Sequence, residues 1–215
     1  MIAVIFDMDG VLVDNARFHE RAFAEYFSRF GITLAPEMFG RGNEELMAEL
    51  FPNESRERHR DLAAGKEAYY RQIYGPHIKP VTGLVELLED LKNHDIPVAV
   101  GSSAPIENID FVLDRLQIRK YFDIVVVAAM VQRAKPAPDI YLKSAELLNV
   151  KPENCLVFED ALAGITAARS AGMKVAGLAT SLPKERLTET DCIINDFTEI
   201  TTDMIKQIIK VFNKK

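Results

Sequence analysis

Two aspartates two positions apart, Asp7 and Asp9, stand at the end of the apolar run 2–6 and are followed by Gly10. If that run is a buried strand, side chains at positions i and i+2 point to the same face, so the two carboxylates are crowded together. A hard cation such as Mg²⁺ offsets the repulsion, and so does a function that needs one carboxylate ionised and its neighbour protonated. An acidic turn, which Asp and Gly favour, is the alternative interpretation.

Three further polar groups have similar placements in the sequence: each follows one of the later apolar runs. They are Ser102 with Ser103, Lys135, and the pair Glu159 and Asp160. Each group has an ordinary structural explanation: a helix cap for the serines, a surface lysine, and acidic residues at the start of a helix. Ligands of open α/β sheets bind beyond the carboxyl ends of the strands, so the shared placement favours one common site.

The chemistry that these groups predict together is phosphoryl transfer. Asp7 and Asp160, with one or two neighbouring oxygens, supply hard anionic ligands for Mg²⁺. The metal ion and Lys135 would neutralise a phosphate dianion, and Ser102 would donate a hydrogen bond to a phosphoryl oxygen. One carboxylate of the first pair would then be the nucleophile that forms an aspartyl-phosphate, and its neighbour would be the acid and base.

A parallel sheet is the element that would bring these residues together. The strand predictions are six short β-rich runs: 2–6, 97–101, 124–129, 155–158, 174–178 and 192–194. Helical patterns alternate with most of them, at about 83–94, 105–116, 137–149, 161–171 and 200–212. This alternation predicts an α/β fold, a doubly wound parallel sheet of Rossmann-like type with helices on both faces.

One stretch, residues 15–75, breaks the alternation. It holds no convincing strand and at least three helical patterns, whereas a right-handed crossover needs only one helix. We therefore predict an α/β core domain of residues 1–13 and 81–215, and a small helical cap domain of residues 14–80 inserted after the first strand. The three helical patterns of the insertion cover about 14–30, 43–51 and 55–73.

Composition limits the class of protein and its partners. The chain has 215 residues, a formal net charge of −6, 48% hydrophobic and 27% charged residues, as is usual for a soluble globular protein. The acidic balance argues against nucleic-acid or membrane-surface partners, and no apolar run approaches the roughly 20 residues of a membrane span. No signal-peptide pattern opens the chain, so we expect a cytoplasmic protein, a monomer or weak homodimer, in which Cys155 and Cys192 are free thiols.

The motifs resemble those of the haloacid dehalogenase superfamily of phosphotransferases over essentially the whole chain. The run 7–14 looks like the first motif, Ser102 the second, the run 135–139 the third, and Glu159 with Asp160 the fourth. The helical insertion is similar to the type-1 cap. The Lys-Pro-x-Pro-Asp and Glu-Asp-x-x-x-Gly runs are similar to those of the β-phosphoglucomutase-like branch.

The resemblance implies a role for each matching residue of the core. Asp7 would be the nucleophile and Asp9 the acid/base, while Ser102 and Lys135 would hold the phosphoryl group. A carboxylate at the position of Asp9 argues against dehalogenation, because the dehalogenases of the superfamily lack it. Residues 14–30 contain no lysine, which argues against a phosphonate-cleaving role.

The resemblance also implies the cofactor and its ligands. Asp7, the backbone carbonyl of Asp9, and Asp160 would bind Mg²⁺ directly. Glu159 would bind the ion either directly or through a water molecule. These residues follow the first and fourth predicted strands, so the resemblance and the strand pattern place the metal at the same sheet edge.

Residues of the insertion bear on two activities of the branch. His19 matches the histidine that assists the acid/base in the mutases. The Gly-Val-Ser-Arg run of the mutases corresponds to residues 40–43 here, where Arg41 stands two positions early and Asn43 occupies the place of the arginine that grips the distal phosphate. This departure favours a phosphatase over a β-phosphoglucomutase-type sugar phosphate mutase.

The sequence therefore predicts a Mg²⁺-dependent phosphatase that acts on a small phosphorylated metabolite, such as a sugar phosphate, through an aspartyl-phosphate. His19, Arg41, Asn43 and Ser103 are the expected substrate-binding residues. A non-catalytic phosphoacceptor or binding module is a further alternative. Receiver-type phosphoacceptor modules are much shorter, however, and have no helical insertion after the first strand.

Overall fold

The computed structural model describes residues 1–33 and 43–210, and the side chains of residues 43 and 44 lie outside the described part. The chain divides into two compact units. One unit comprises Met1–Asp14 and Lys79–Lys215, and the other comprises Asn15–Ile78.

The larger unit is built on a six-stranded sheet in which every neighbouring pair of strands is parallel. Its strands are β1 (Ala3–Phe6), β2 (Val98–Ser102), β3 (Ile124–Val127), β4 (Cys155–Glu159), β5 (Lys174–Leu178) and β6 (Cys192–Ile194). Their order across the sheet is β3-β2-β1-β4-β5-β6. The prediction of a doubly wound α/β fold with these six strands is confirmed.

The described residues also form eight α-helices. They are α1 (Ala16–Ser28), α2 (Asn43–Leu50), α3 (Arg56–Tyr74), α4 (Leu84–Asn93), α5 (Ile106–Arg115), α6 (Asp139–Leu147), α7 (Leu162–Ser170) and α8 (Thr202–Lys210). None of the helices among residues 1–33 and 43–210 is long and apolar enough to cross a membrane.

Helices cover the sheet on both faces because its strands alternate between two apolar layers. Ile5 and Val157 belong to one buried cluster with residues of α6 and α7. The next residue of β1, Phe6, points to the opposite face, where its ring stacks on Phe158 (centroids 4.9 Å apart) and approaches Phe197 (5.8 Å). Burial on both faces explains why β1 is a continuous apolar run without polar alternation.

Strand order reverses at β1, and this reversal positions the site. From β1 the chain leads to β2 on one side, and from β3 it returns to β4 on the other side. The register aligns Phe6 with both Val100 and Phe158, so the carboxyl ends of β1, β2 and β4 lie at one edge. A crevice at such a reversal is where open α/β sheets bind ligands.

The smaller unit contains only helices, α1 to α3, among its described residues. It has an apolar core of its own, formed by Phe23, Phe27, Leu46, Met47 and Leu62. Helix α3 begins after Ser55, whose Oγ accepts a hydrogen bond from the backbone N–H of Arg58 (3.2 Å), a side-chain cap that satisfies one free donor of the first turn. That this helical unit serves as a substrate cap stays a prediction.

Candidate active site

The turn after β1 places Asp7 inside the larger unit. The Asp7 side chain is buried, and its backbone N–H donates to the carbonyl oxygen of Phe158 in β4 (3.0 Å). Gly10 closes the turn by donating to the carbonyl of Val13 (2.8 Å), and its φ of +75° is a conformation that glycine adopts without strain. A Cβ at Gly10 would lie 1.8 Å from Oδ2 of Asp160, so the turn needs glycine for space as well.

Lys135 links the carboxylate of Asp7, which follows β1, to the carboxylate of Glu159, which ends β4. Its Nζ lies 2.6 Å from Oδ1 of Asp7 and 2.7 Å from Oε1 of Glu159, and only 9% of its side chain is exposed. Burial alone would lower the pKa of Lys135, but attraction to the two carboxylates outweighs it and raises the pKa above its usual value. Lys135 is therefore a permanent cation and hydrogen-bond donor at this edge.

Glu159, the last residue of β4, accepts four hydrogen bonds. Its Oε1 accepts from Lys135 and from the hydroxyl of Tyr141 (2.6 Å). Its Oε2 accepts from the backbone N–H groups of Asp160 (3.0 Å) and Ala161 (3.1 Å). A carboxylate has about four lone-pair sites, so these bonds hold Glu159 in one orientation and fill its acceptor capacity.

Asp7, Glu159 and Asp160 form a buried carboxylate cluster, in which one ligand oxygen from each residue lies within 4.8 Å of the others. Burial, with added repulsion from neighbouring carboxylates, raises the pKa of Asp7 well above its usual value, although Lys135 opposes the shift. Burial and the charge of Glu159 raise the pKa of Asp160 to about 7. Carboxylate oxygens crowded without enough positive charge are a donor set that suits a hard divalent cation.

Ser102, the last residue of β2, and Ser103 do not cap the following helix. Ser102 is buried, and its Oγ accepts a hydrogen bond from the backbone N–H of Ala104 (3.1 Å), which leaves the hydroxyl hydrogen available to donate. Helix α5 starts after Pro105 with no side-chain cap, and Ser103 is exposed. The helix-cap explanation of the serines is thus wrong, and Ser102 is placed at the carboxyl end of the strand beside β1.

Asp9 is half-buried in the turn, and its backbone bridges to Val13. Its charge raises the pKa of Asp7 and, to a smaller extent than burial, that of Asp160, so Asp9 belongs to the same electrostatic environment. The core residues predicted from the sequence are therefore brought to one sheet edge. Their catalytic and metal-binding roles stay predictions.

The predicted substrate residues of the insertion are placed only in part. His19 is half-buried on α1, and its ring stacks on Tyr70 (centroids 3.8 Å apart). Asn15 donates to the hydroxyl of Tyr70 (2.6 Å) and lies 3.4 Å from Nε2 of His19. Asn43 is the first residue of α2, but its side chain lies outside the described part, as does Arg41 entirely.

Three residues next to the cluster were not predicted. Thr180 donates from Oγ1 to the carbonyl of Gly10 (2.5 Å), and Ser181 hydrogen-bonds to Asp160, which partly lowers the raised pKa of that carboxyl. Both follow β5. They could have been predicted, because ligands of open α/β sheets bind beyond the carboxyl ends of the strands and the sequence indicates the fifth strand. Tyr141 gives no such signal, because a tyrosine within the apolar pattern of a helix is indistinguishable from an ordinary core residue.

Fold and site together define a doubly wound α/β protein with a lysine-bridged carboxylate centre at its switch point. The family model of haloacid dehalogenase-like hydrolases matches residues 4–178. The chain belongs to this family, as its motifs predicted, and within it to the β-phosphoglucomutase-like branch.

Relatives of known name include both kinds of enzyme that the sequence suggested. The chain is 33% identical over 200 residues to validoxylamine A 7'-phosphate phosphatase of Streptomyces hygroscopicus subsp. limoneus, covering 91% of this chain and 94% of that protein. It is 31% identical over 219 residues to the β-phosphoglucomutase of Bacillus subtilis, covering 96% and 95%.

The fold also matches solved structures over its full length. A HAD hydrolase of family IA, variant 3, from Entamoeba histolytica superposes with a TM-score of 0.88 at 31% identity, covering 98% of this chain and 100% of that chain. The similarity extends through the helical insertion, since so little of either chain lies outside the match.

Proposed function

We propose that the protein is a Mg²⁺-dependent phosphatase that hydrolyses small phosphorylated metabolites, such as sugar phosphates. The observation that carries the proposal is the contact of Lys135 with Asp7 and Glu159 inside the carboxylate cluster. A fixed cation beside a buried carboxylate is what transfer of a dianionic phosphoryl group to that carboxylate requires. The similarity to the validoxylamine A 7'-phosphate phosphatase of Streptomyces hygroscopicus subsp. limoneus supports a small phosphorylated metabolite as the substrate class.

The reaction would proceed in two displacements. An Asp7 oxygen forms a bond to phosphorus while the ester P–O bond breaks, and Asp9 gives a proton to the departing oxygen. A water molecule then attacks the phosphorus of the aspartyl-phosphate, Asp9 takes its proton, and the Asp7 carboxylate leaves with the electrons of the P–O bond. Lys135 and the hydroxyl of Ser102 would hold the phosphoryl oxygens in both steps.

Asp7, Asp160 and the backbone carbonyl of Asp9 would hold Mg²⁺, whose charge would help to neutralise the phosphoryl oxygens. Glu159 differs from these ligands because all four of its lone-pair sites already accept hydrogen bonds. We therefore assign Glu159 to the support of Lys135, in place of the direct metal ligand that the resemblance left open.

The variant Asp7→Asn tests the proposal. With Mg²⁺ present, release of phosphate from an aryl phosphate and from a panel of sugar phosphates should fall by at least about 10³-fold, because an amide is not a nucleophile here. Asp123→Asn is the control, since Asp123 is an exposed carboxylate at the amino end of β3 that accepts from the backbone N–H of Val98 (2.9 Å). Retained turnover in Asp7→Asn would overturn the mechanism.

A sugar phosphate mutase is the second candidate, favoured by the 31% identity to the Bacillus subtilis β-phosphoglucomutase and by His19 on α1. The two activities differ in the fate of the phosphoryl group. Incubation with β-glucose 1-phosphate and a trace of the 1,6-bisphosphate should release inorganic phosphate if the protein is a phosphatase. Accumulation of glucose 6-phosphate without free phosphate would identify a mutase.

We further propose that Asn15–Ile78 is a cap domain whose residues select the substrate, with His19, Arg41 and Asn43 among them and Ser103 contributed by the core. His19→Ala and Arg41→Ala should then reduce turnover of the preferred sugar phosphate more than turnover of an aryl phosphate. Equal losses on both substrates would argue against a role in selection.

We also propose a cytoplasmic enzyme that is a monomer or weak homodimer and needs no nucleic-acid or membrane partner. The net charge of −6 and the two free cysteines support this assignment. Light scattering after size-exclusion chromatography should give a mass between one and two chains. A larger stable assembly would contradict the proposed monomer or weak homodimer.

A further inference from the structure

From within the core, Tyr141 contacts two charged residues of the site, Lys135 and Glu159. It lies in the first turn of α6, its side chain is fully buried, and it belongs to the apolar cluster that includes Ile5 and Val157. Its hydroxyl donates to Oε1 of Glu159 at 2.6 Å, and Nζ of Lys135 lies 4.7 Å from the centre of its ring. A buried tyrosine hydroxyl needs a hydrogen-bond partner in any case, and here that partner is the same carboxylate oxygen that accepts from Lys135.

The hydroxyl of Tyr141 and the ammonium of Lys135 share one oxygen of Glu159. Two backbone N–H groups donate to the other oxygen, so hydrogen bonds fix both oxygens of the carboxylate. Removing the hydroxyl would leave a lone pair of Oε1 unsatisfied in a buried place, and the nearest donor able to take it is Lys135. The ammonium would then be drawn towards Glu159 and away from Asp7.

Lys135 depends on such contacts because its own backbone is irregular. The residue lies between the short 3-10 turn Ala128–Met130 and the start of α6, and residues 132–134 before it are exposed. Neither a helix nor a strand therefore fixes the direction of the lysine side chain. Its position is set by Asp7, Glu159 and the face of the Tyr141 ring.

We propose that Tyr141 is a positioning residue of this site: its hydroxyl, through Glu159, and its ring, directly, hold the Lys135 ammonium beside Asp7. The inference rests on the proposed function in that Lys135 binds the phosphoryl group. It adds a residue of α6 to a centre that the sequence motifs place only at strand ends and loops.

Tyr141→Phe tests the inference, because it keeps the ring and removes only the hydroxyl. Tyr121→Phe is a matched control: the Tyr121 hydroxyl donates to Oε1 of Glu89 (2.8 Å), and Nζ of Lys120 lies 4.9 Å from its ring centre. Both variants thus lose a tyrosine–glutamate hydrogen bond next to a lysine. A purely structural role would lower the melting temperature in both and change nothing else.

The measurements are calorimetric titration of the Mg²⁺-loaded protein with inorganic phosphate, titration of the metal-free protein with Mg²⁺, and kcat and KM on an aryl phosphate. In Tyr141→Phe the Kd for phosphate should rise by roughly 10-fold, the loss of one hydrogen bond to a charged group, and kcat should fall. The Kd for Mg²⁺ should stay within about 2-fold, because the Tyr141 hydroxyl bonds to Glu159 and not to Asp7 or Asp160, the proposed metal ligands. Tyr121→Phe should match the wild type in all three.

Unchanged phosphate affinity and kcat in Tyr141→Phe, with only a lower melting temperature, would overturn the inference. A Kd for Mg²⁺ that rises as much as that for phosphate would also overturn it, because Tyr141 would then act on the metal ligands. If the wild type binds phosphate but hydrolyses none of the tested esters, the proposed function fails, and the phosphate affinities still decide the role of Tyr141.

Discussion

Gly164, the third residue of α7, is the position where one added methyl group would test the carboxylate centre most sharply. A Cβ built there lies 1.6 Å from Oε1, 2.0 Å from Cδ and 2.5 Å from Oε2 of Glu159. The whole carboxylate group is in the way, and its four hydrogen bonds prevent it from moving aside intact. Gly164→Ala must therefore break the contact of Glu159 with Lys135.

The magnitude follows from two opposing effects. Alanine is about 1 kcal/mol better than glycine within a helix, which favours the variant. Breaking a buried ion pair costs about 3–5 kcal/mol, because the remaining charge is left without its partner. The net destabilisation is then about 2–4 kcal/mol, and at about 2–4 °C per kcal/mol for a chain of this size the melting temperature should fall by about 4–16 °C.

Gly65→Ala in α3 is the matched control. A Cβ there would lie 2.1 Å from the hydroxyl of Tyr26, which is also a close approach. Tyr26 is half-buried, however, and the clash is with the tip of its side chain, which can swing away. The gain in helix propensity should then leave the stability within about 1 kcal/mol of the wild type.

Differential scanning calorimetry and phosphate release measure both variants. Gly164→Ala should lose most of its turnover along with its stability, whereas Gly65→Ala should keep its stability. If Gly164→Ala melts and turns over like the wild type, the four bonds of Glu159 contribute neither to stability nor to the centre. The inference that Glu159 and Tyr141 hold Lys135 in place would then also be wrong.

Three other properties can be measured directly. Saturating Mg²⁺ should raise the melting temperature and chelation should abolish phosphate release, and Asp160→Asn should lose the Mg²⁺ stabilisation; an unchanged response in that variant would refute the metal assignment. Burial raises the pKa of Cys155 to about 12 and that of Cys192 to about 11, so at pH 8 both stay thiols and a disulfide reagent should label them slowly until the protein is unfolded. Thr180→Val should cost about 1 kcal/mol by removing the donor to the Gly10 carbonyl, measured by thermal melting.

The sheet and the strand-end residues were predictable because each depends on local sequence. A central parallel strand is buried on both faces, so β1 and β4 are continuous apolar runs, and the polar residue that follows each run marks the sheet edge. The order of strands was not needed for this. Any doubly wound sheet brings the ends of neighbouring parallel strands to one edge, and Asp7 and Glu159 meet there through Lys135.

The contacts that hold the centre in shape were not predictable, because they depend on where side chains point after folding. Tyr141 and Ile140 are adjacent and both buried, yet only the tyrosine carries a hydroxyl that reaches Glu159. The crowding of Gly10 and Gly164 against carboxylates is likewise invisible in the chain. Both glycines fit ordinary sequence roles, a turn and a helix, while their need for space comes from residues elsewhere in the sequence.

The buried charges also indicate which carboxylate supports Lys135 and which carboxylates are left for a metal ion. Among the described residues, Lys135 is the buried cation beside Asp7, Glu159 and Asp160, so ionisation of all three carboxylates would leave two negative charges, which one divalent ion would balance. Because Glu159 accepts hydrogen bonds from Lys135 and Tyr141, we expect Asp7 and Asp160 to be the carboxylates that hold the metal ion. In the proposed mechanism these groups would act on the phosphoryl group alone, which the substrates of phosphatases and mutases have in common. The difference between the two activities must therefore reside outside this centre, in residues that contact the rest of the substrate.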